Sequence, residues 1–181
     1  MWIANRGSNT VSVFNSDGTQ VAGSPFATDR CPEGAAFDGS HVWITNNCVS
    51  TVSVFNLDGS QVTGSPFPTG SNPLGAAFDG THVWIVNVGG NSVSAFNKDG
   101  SQMAGSPFPT GNYPINVASD GSHVWVTNSN SNSVSVFNPD GSEVTGSPFA
   151  TGSSPSGLSF DGAHMWITNG MSNSVSVFNV K

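Results

Sequence analysis

The sequence predicts an all-β protein, a β-propeller of four-stranded antiparallel blades, and three observations carry that prediction. Trp2, Trp43, Trp84, Trp125 and Trp166 recur at a constant spacing of 41 residues. The unit between them alternates β-branched and aromatic residues with polar ones at period two, and nowhere repeats apolar residues at helical spacing. Asp-Gly occurs twice per unit between alternating segments, which is a hairpin-turn signal. A repeat of roughly 40–45 residues holding four short strands is the pattern of a propeller blade. A β-solenoid would have shorter coils and would lack the paired Asp-Gly turns.

One unit, WITNNCVSTVSVFNLDGSQVTGSPFPTGSNPLGAAFDGTHV at 43–83, shows each element. Strand A is GAAFD, closed by the Asp79-Gly80 turn. Strand B is HVWIT; Trp43 and Thr45 point one way and Val42 and Ile44 the other, so both faces are dressed for packing. Strand C is TVSVF, and Asn56-Leu57-Asp58-Gly59 turns it into strand D, QVTGSPF. A Pro-containing loop, Thr69 to Pro73, leads to the next strand A.

The chain is read as one array over 1–181, with modules at about 2–26 (B, C, D), 33–67, 74–108, 115–149 and 156–179 (A, B, C). The 181 residues are four periods of 41 and 17 more, about 4.5 blades, a partial or five-bladed propeller. Met1 stands where the last unit has the internal Met165, so the first blade is expected to be truncated or shortened. Such an arc is expected either to self-associate through open blade edges or to close as an imperfect five-bladed ring.

Composition narrows the partners. Charged residues make up 8%, and 11 acids face four Lys and Arg, for a net charge of −7. So few bases cannot neutralise phosphates, so nucleic acid and anionic membranes are poor partners, and neither nucleic-acid binding nor membrane insertion is expected. Ser, Gly or Asn interrupts every apolar run well short of the ~18 residues a membrane helix needs. Five Trp and 12 Phe supply the apolar mass that a disordered chain lacks.

The segments WVTNSNSNSVSVFNPDG (125–141) and GSPFATGSSPSGLSFDG (146–162) resemble the YVTN-type propeller repeats of bacterial and archaeal surface proteins and the related repeats of propeller-fold lactonases. All five units share the pattern. The resemblance implies the propeller fold, and relatives of this kind carry about seven blades. It does not imply an activity, because the repeated residues are those that build blades.

Residues that break the repeat are the candidates for function. Cys31 and Cys48 depart from their columns within one unit, in D-to-A and B-to-C loops that emerge on the same face. They are either a disulfide across that rim or two free thiols in a reducing compartment. Arg6, Asp29, Arg30 and Glu33 form an asymmetric charged patch on the same face, with Asn112 and Tyr113 in a neighbouring loop. This patch is either a ligand site or surface ion pairing. His41, His82, His123 and His164 occupy one column and are read as structural partners of the turn residues Asp38, Asp79, Asp120 and Asp161. No metal site is expected from them, because equivalent residues of diverging blades lie too far apart for one ion. Asn-x-Asp-Gly lacks the further ligands of a calcium loop and is read as a turn. No catalytic residue and no cofactor is assigned.

Two functions follow. The first is a non-enzymatic, exported binding or structural scaffold that presents its loop face to a protein or glycan. The scarcity of Lys, the Ser/Thr/Asn/Gly-rich surface and the possible bridge favour an extracellular or cell-surface setting. The alternative, implied by the resemblance, is a fragment of a lactonase-like hydrolase.

Overall fold

The computed structural model describes residues 1–180; Lys181, the last residue of the expected array, lies outside the described residues. Among the described residues, eighteen strands form five antiparallel sheets. Blade I holds β1 (Trp2–Asn5), β2 (Thr10–Val13) and β3 (Phe26–Ala27). Blade II holds β4 (Pro32–Phe37), β5 (Val42–Asn46), β6 (Thr51–Phe55) and β7 (Phe67–Pro68). Blade III holds β8 (Pro73–Phe78), β9 (Val83–Asn87), β10 (Ser92–Phe96) and β11 (Phe108–Pro109). Blade IV holds β12 (Pro114–Ser119), β13 (Val124–Asn128), β14 (Ser133–Phe137) and β15 (Phe149–Ala150). Blade V holds β16 (Pro155–Phe160), β17 (His164–Asn169) and β18 (Ser174–Asn179). The inner strands β4, β8, β12 and β16 pack against one another around the axis.

Strand D is shorter than its alternation suggests. In QVTGSPF only Phe67 enters the ladder, and Gln61 makes an isolated bridge to Phe55. Between them the chain turns through Gly64, at φ 89°, and a cis Ser65–Pro66 bond. The Ser65 hydroxyl accepts the Val54 amide at 2.8 Å, so a side chain meets the donor that a straight strand would have satisfied.

The core lies between blades. Trp43 meets Phe96 of the next blade with ring centroids 5.7 Å apart, and Trp84 meets Phe137 at 6.0 Å. Val42 and Ile44 face the other way, toward Val11 of blade I. Both faces of a middle blade are therefore dry, as the two-sided pattern of strand B requires.

Each Trp of blades II to V donates its indole N–H to the Asp that ends strand A of its own blade, at 2.8, 2.7, 2.6 and 2.7 Å. Asp38 also accepts the Ser40 and His41 amides, both at 2.7 Å. Burial pushes the Asp38 carboxyl up, and the Trp43 indole and the two amides outweigh it, leaving it below the ordinary range. Asp161 is lowered chiefly by the Trp166 indole. A depressed folded-state value means that the unfolded chain binds more protons as pH falls. This stabilisation is present above the unfolded value of 3.8 and is lost below it. Thermal melts from pH 7 to 2 are expected to show a flat midpoint down to about pH 4.5 and a fall below pH 4.

The array is an open arc; the five-bladed ring does not form. In β17, Met165 and Ile167 are buried against blade IV, while Trp166 is 43% exposed on the other side. Val175 and Val177 beside it are 52% and 46% exposed. At the other end Ile3, the equivalent of the buried Ile44, Ile85 and Ile167, is 42% exposed. No helix among the described residues is long and apolar enough to cross a membrane.

Candidate functional site: a cleft on the loop face

The B-to-C and D-to-A loops of all blades emerge on one rim, and the Asp-Gly turns on the other. On the loop rim lies a cleft of about 400 Å³. All but one of its lining residues come from three repeat columns. The first residue after strand B reads Arg6, Asn47, Val88, Ser129, Gly170 along the chain. The second residue of strand A reads Glu33, Leu74, Ile115, Ser156. The residue before strand A reads Cys31, Asn72, Tyr113, Ser154. No residue type recurs within any of these columns, whereas the Trp column is invariant. The cleft takes Arg6, Asn47 and Val88 from the first, Glu33 and Leu74 from the second, and Asn72 and Tyr113 from the third. Gly89 completes it.

The third column is left-handed throughout, with φ of 57°, 54°, 55° and 56°. The preceding blade holds it in place: Asn9 accepts the Cys31 amide and Asn91 the Tyr113 amide, each at 2.9 Å. The Tyr113 ring is thereby presented outward, 49% exposed. Across the cleft an Arg6 guanidinium nitrogen lies 2.8 Å from a Glu33 carboxylate oxygen. Asn47 donates to the Pro73 carbonyl at 3.1 Å and Asn72 to the Asn47 carbonyl at 3.2 Å, which leaves their side-chain oxygens as acceptors.

Cys31 and Cys48 form a disulfide beside this cleft, with Cα atoms 5.4 Å apart. It ties the D-to-A loop of blade II to that blade's B-to-C loop, parallel to the Asn47 amide bond to the Cys31 carbonyl at 2.9 Å. It encloses a sequence separation of 17 residues. Replacing both cysteines with Ser is expected to cost about 3 kcal/mol, the closure entropy of such a loop, read as a lower urea midpoint with a steeper slope, because the unfolded chain is no longer cross-linked and exposes more surface.

Of the predicted patch, Arg6, Glu33 and Tyr113 meet in the cleft, and Asp29, Arg30 and Asn112 do not line it. Asp29 accepts the Thr51 hydroxyl and the Arg30 amide, both at 3.0 Å, so it anchors its own loop. Arg30 is exposed beside it. The Asn112 amide donates to the Ser131 hydroxyl at 2.7 Å, which again joins two loops. Asn47, Asn72, Leu74, Val88 and Gly89 escape a search for unusual charges; variability within a column was the signal that marks them. The histidines lie on the opposite rim. Their Nδ1 atoms stand 3.3, 3.7, 3.4 and 3.2 Å from the turn Asp, in chain order. Among the described residues no three His, Cys, Asp or Glu are grouped to hold a metal ion.

No family model matches the chain. No curated protein matches it either. Solved structures do. A catalytically inactive virginiamycin B lyase from Staphylococcus aureus with quinupristin superposes at a TM-score of 0.83, with 16% identity over 99% of this chain and 62% of that one. A 6-phosphogluconolactonase-like protein from Bacteroides uniformis gives 0.77, with 16% identity over 99% and 63%. A chain of the nidogen/laminin complex gives 0.63, with 16% identity over 98% and 70%. These are propeller-fold proteins, and at such identity the likeness concerns the fold alone. The chain spans about six tenths of the length of the first two.

Proposed function

We propose that the chain is an exported binding scaffold whose loop-face cleft recognises a protein or glycan ligand without transforming it. The observation that carries this reading is the convergence on one cleft of three columns in which no residue type recurs. A recognition site needs unlike groups around one ligand, and a copied blade supplies them only where its columns diverge. The groups suit a hydroxyl-rich ligand. Tyr113 offers a ring face, Asn47 and Asn72 offer acceptors, and the Arg6–Glu33 pair offers a donor and an acceptor at fixed separation. The hydrolase alternative has one carboxylate in the cleft, Glu33, and Arg6 already engages it. The disulfide agrees with an oxidising, extracellular setting. A propeller chain in the nidogen/laminin complex shows that the fold serves protein binding elsewhere.

Screening the chain against a glycan array is expected to give saturable binding that weakens at least tenfold in Tyr113→Ala and in Arg6→Ala. Hydrolysis of a lactone panel, with calcium or magnesium added, that is lost in Glu33→Ala would replace this reading with the hydrolase one.

A further inference from the structure

The cleft on the loop face has two unlike ends. Arg6 and Glu33 meet at one, across the boundary of blades I and II, and Tyr113 stands at the other, at the entrance to blade IV. Blade III lies between them and supplies Leu74 and Val88 as an apolar wall. The polar groups are mostly acceptors. The side-chain amides of Asn47 and Asn72 are spent on the Pro73 and Asn47 carbonyls, so what each has left is an oxygen. Glu33 adds a carboxylate, and Arg6 holds the donors beside it. Acceptors on three residues call for a ligand with several donor groups close together. A sugar has them in its hydroxyls; a peptide backbone has one N–H per residue. The charges of Arg6 and Glu33 cancel, and among the described residues no other charged side chain lines the cleft.

The spacing of the pair narrows the sugar. An Arg6 nitrogen and a Glu33 oxygen lie 2.8 Å apart. Hydroxyl oxygens on neighbouring ring carbons are about 2.8 Å apart when staggered gauche, and about 3.6 Å apart when both are axial and anti. A gauche diol therefore matches the pair edge to edge: one hydroxyl accepts an Arg6 N–H and the other donates to Glu33. A guanidinium and a carboxylate have more donor and acceptor positions than their mutual contact uses, so the ion pair stays intact.

We infer, on the reading of this cleft as a binding site, that its ligand is a neutral oligosaccharide of pyranose units carrying a gauche vicinal diol. One unit is clamped by its diol at Arg6 and Glu33. A second lays its axial C–H face on the Tyr113 ring, and hydroxyls between the two donate to Asn47 and Asn72. Past Glu33 the surface continues as a cavity of about 250 Å³ along the inner strands, which Glu33 and Leu74 also line, so the chain of sugars has room to extend.

The probe is cellotetraose, whose units carry gauche diols and axial C–H faces. It is titrated by calorimetry into the intact chain. Saturable binding is expected, and methyl glucoside, which reaches one end of the cleft only, should bind at least tenfold more weakly. Methylating the diol hydroxyls keeps the rings and removes the O–H donors. That change should cost at least tenfold, as should Glu33→Ala and Tyr113→Ala. Arg6→Ala, at an exposed position, is the second variant if Glu33→Ala does not fold, and the comparison of ligands needs no variant. Binding that survives methylation yet is lost in Tyr113→Ala overturns the diol assignment and leaves the cleft a binding site. Preference for a uronic acid tetrasaccharide of the same linkage overturns it too, because an unpaired cation would then be needed. No binding of cellotetraose at millimolar concentration also overturns the inference; the binding reading falls with it only if the glycan array gives no signal sensitive to Tyr113 and Arg6.

Discussion

Trp84→Ala is expected to destabilise the protein by about 3–5 kcal/mol, the range for removing a buried aromatic side chain. Trp84 is fully buried. Its ring packs on Phe108 at 5.8 Å and Phe137 at 6.0 Å, and its indole donates to Asp79 at 2.7 Å. The substitution therefore opens a cavity between two blades and strips a donor from a carboxylate that has little exposure of its own. A loss of this size is a large part of the ~5–15 kcal/mol that holds a typical domain. The same substitution at Trp166 is the internal control. Trp166 occupies the same column and donates to Asp161 at 2.7 Å, yet no blade packs on its outer side. Its replacement is expected to cost about 1 kcal/mol, mostly the hydrogen bond. Urea midpoints measured on dilute protein should show the difference; equal costs would contradict an open arc.

Head-to-tail self-association is the second large effect expected. Each interface within the arc seats the Trp of one blade on the strand C Phe of the next, as Trp125 sits on Phe178 at 5.6 Å. The two ends of the arc are the unpaired halves of that same interface. Blade V presents Trp166, Val175 and Val177. Blade I presents a groove of about 370 Å³ lined by Met1, Ile3 and Phe14. Placing blade V of one copy on blade I of another extends the existing packing, and because the two surfaces differ the assembly runs head to tail. Val177→Glu blocks one end and Ile3→Glu the other. Each is expected to weaken association at least a hundredfold, because an unpaired carboxylate would be buried among apolar groups. Mixed together, the two variants should form a heterodimer and stop there, since each retains one open end of the right polarity. Sedimentation velocity distinguishes the outcomes; a wild-type chain that stays monomeric at high concentration would refute complementarity of the ends.

Legibility varied with the range of the interaction. Strand C was readable to the residue: TVSVF is β6, because alternation over five residues is a local property and the turns beside it are local too. Strand D was not, because its seven residues alternate well but Gly64, in left-handed geometry, turns them out of the ladder. The partner of the turn Asp was half legible. The His column pointed to it, whereas the stronger partner is the Trp two residues further on, held by a hydrogen bond across the A–B hairpin. In the candidate site, charge that broke the repeat located Arg6 and Glu33, which do meet, and also Asp29 and Arg30, which stabilise or flank a loop instead. The remaining cleft residues are neutral, so only their divergence within a column marks them.

The sequence by itself determined the repeat, the four-stranded blade, the two-sided apolar dressing of the middle strands and the rim on which the irregular residues gather. All of these follow from periodicities within 41 residues, and periodicity is written in the chain. Only the tertiary structure decided that the arc stays open, that Arg6, Glu33 and Tyr113 share one cleft, and that Cys31 reaches Cys48. These depend on the rotation between successive blades, set by side chains such as Trp43 and Phe96 packing across a blade boundary. No local pattern encodes that angle, and the identity of a terminal face depends on what packs beside it.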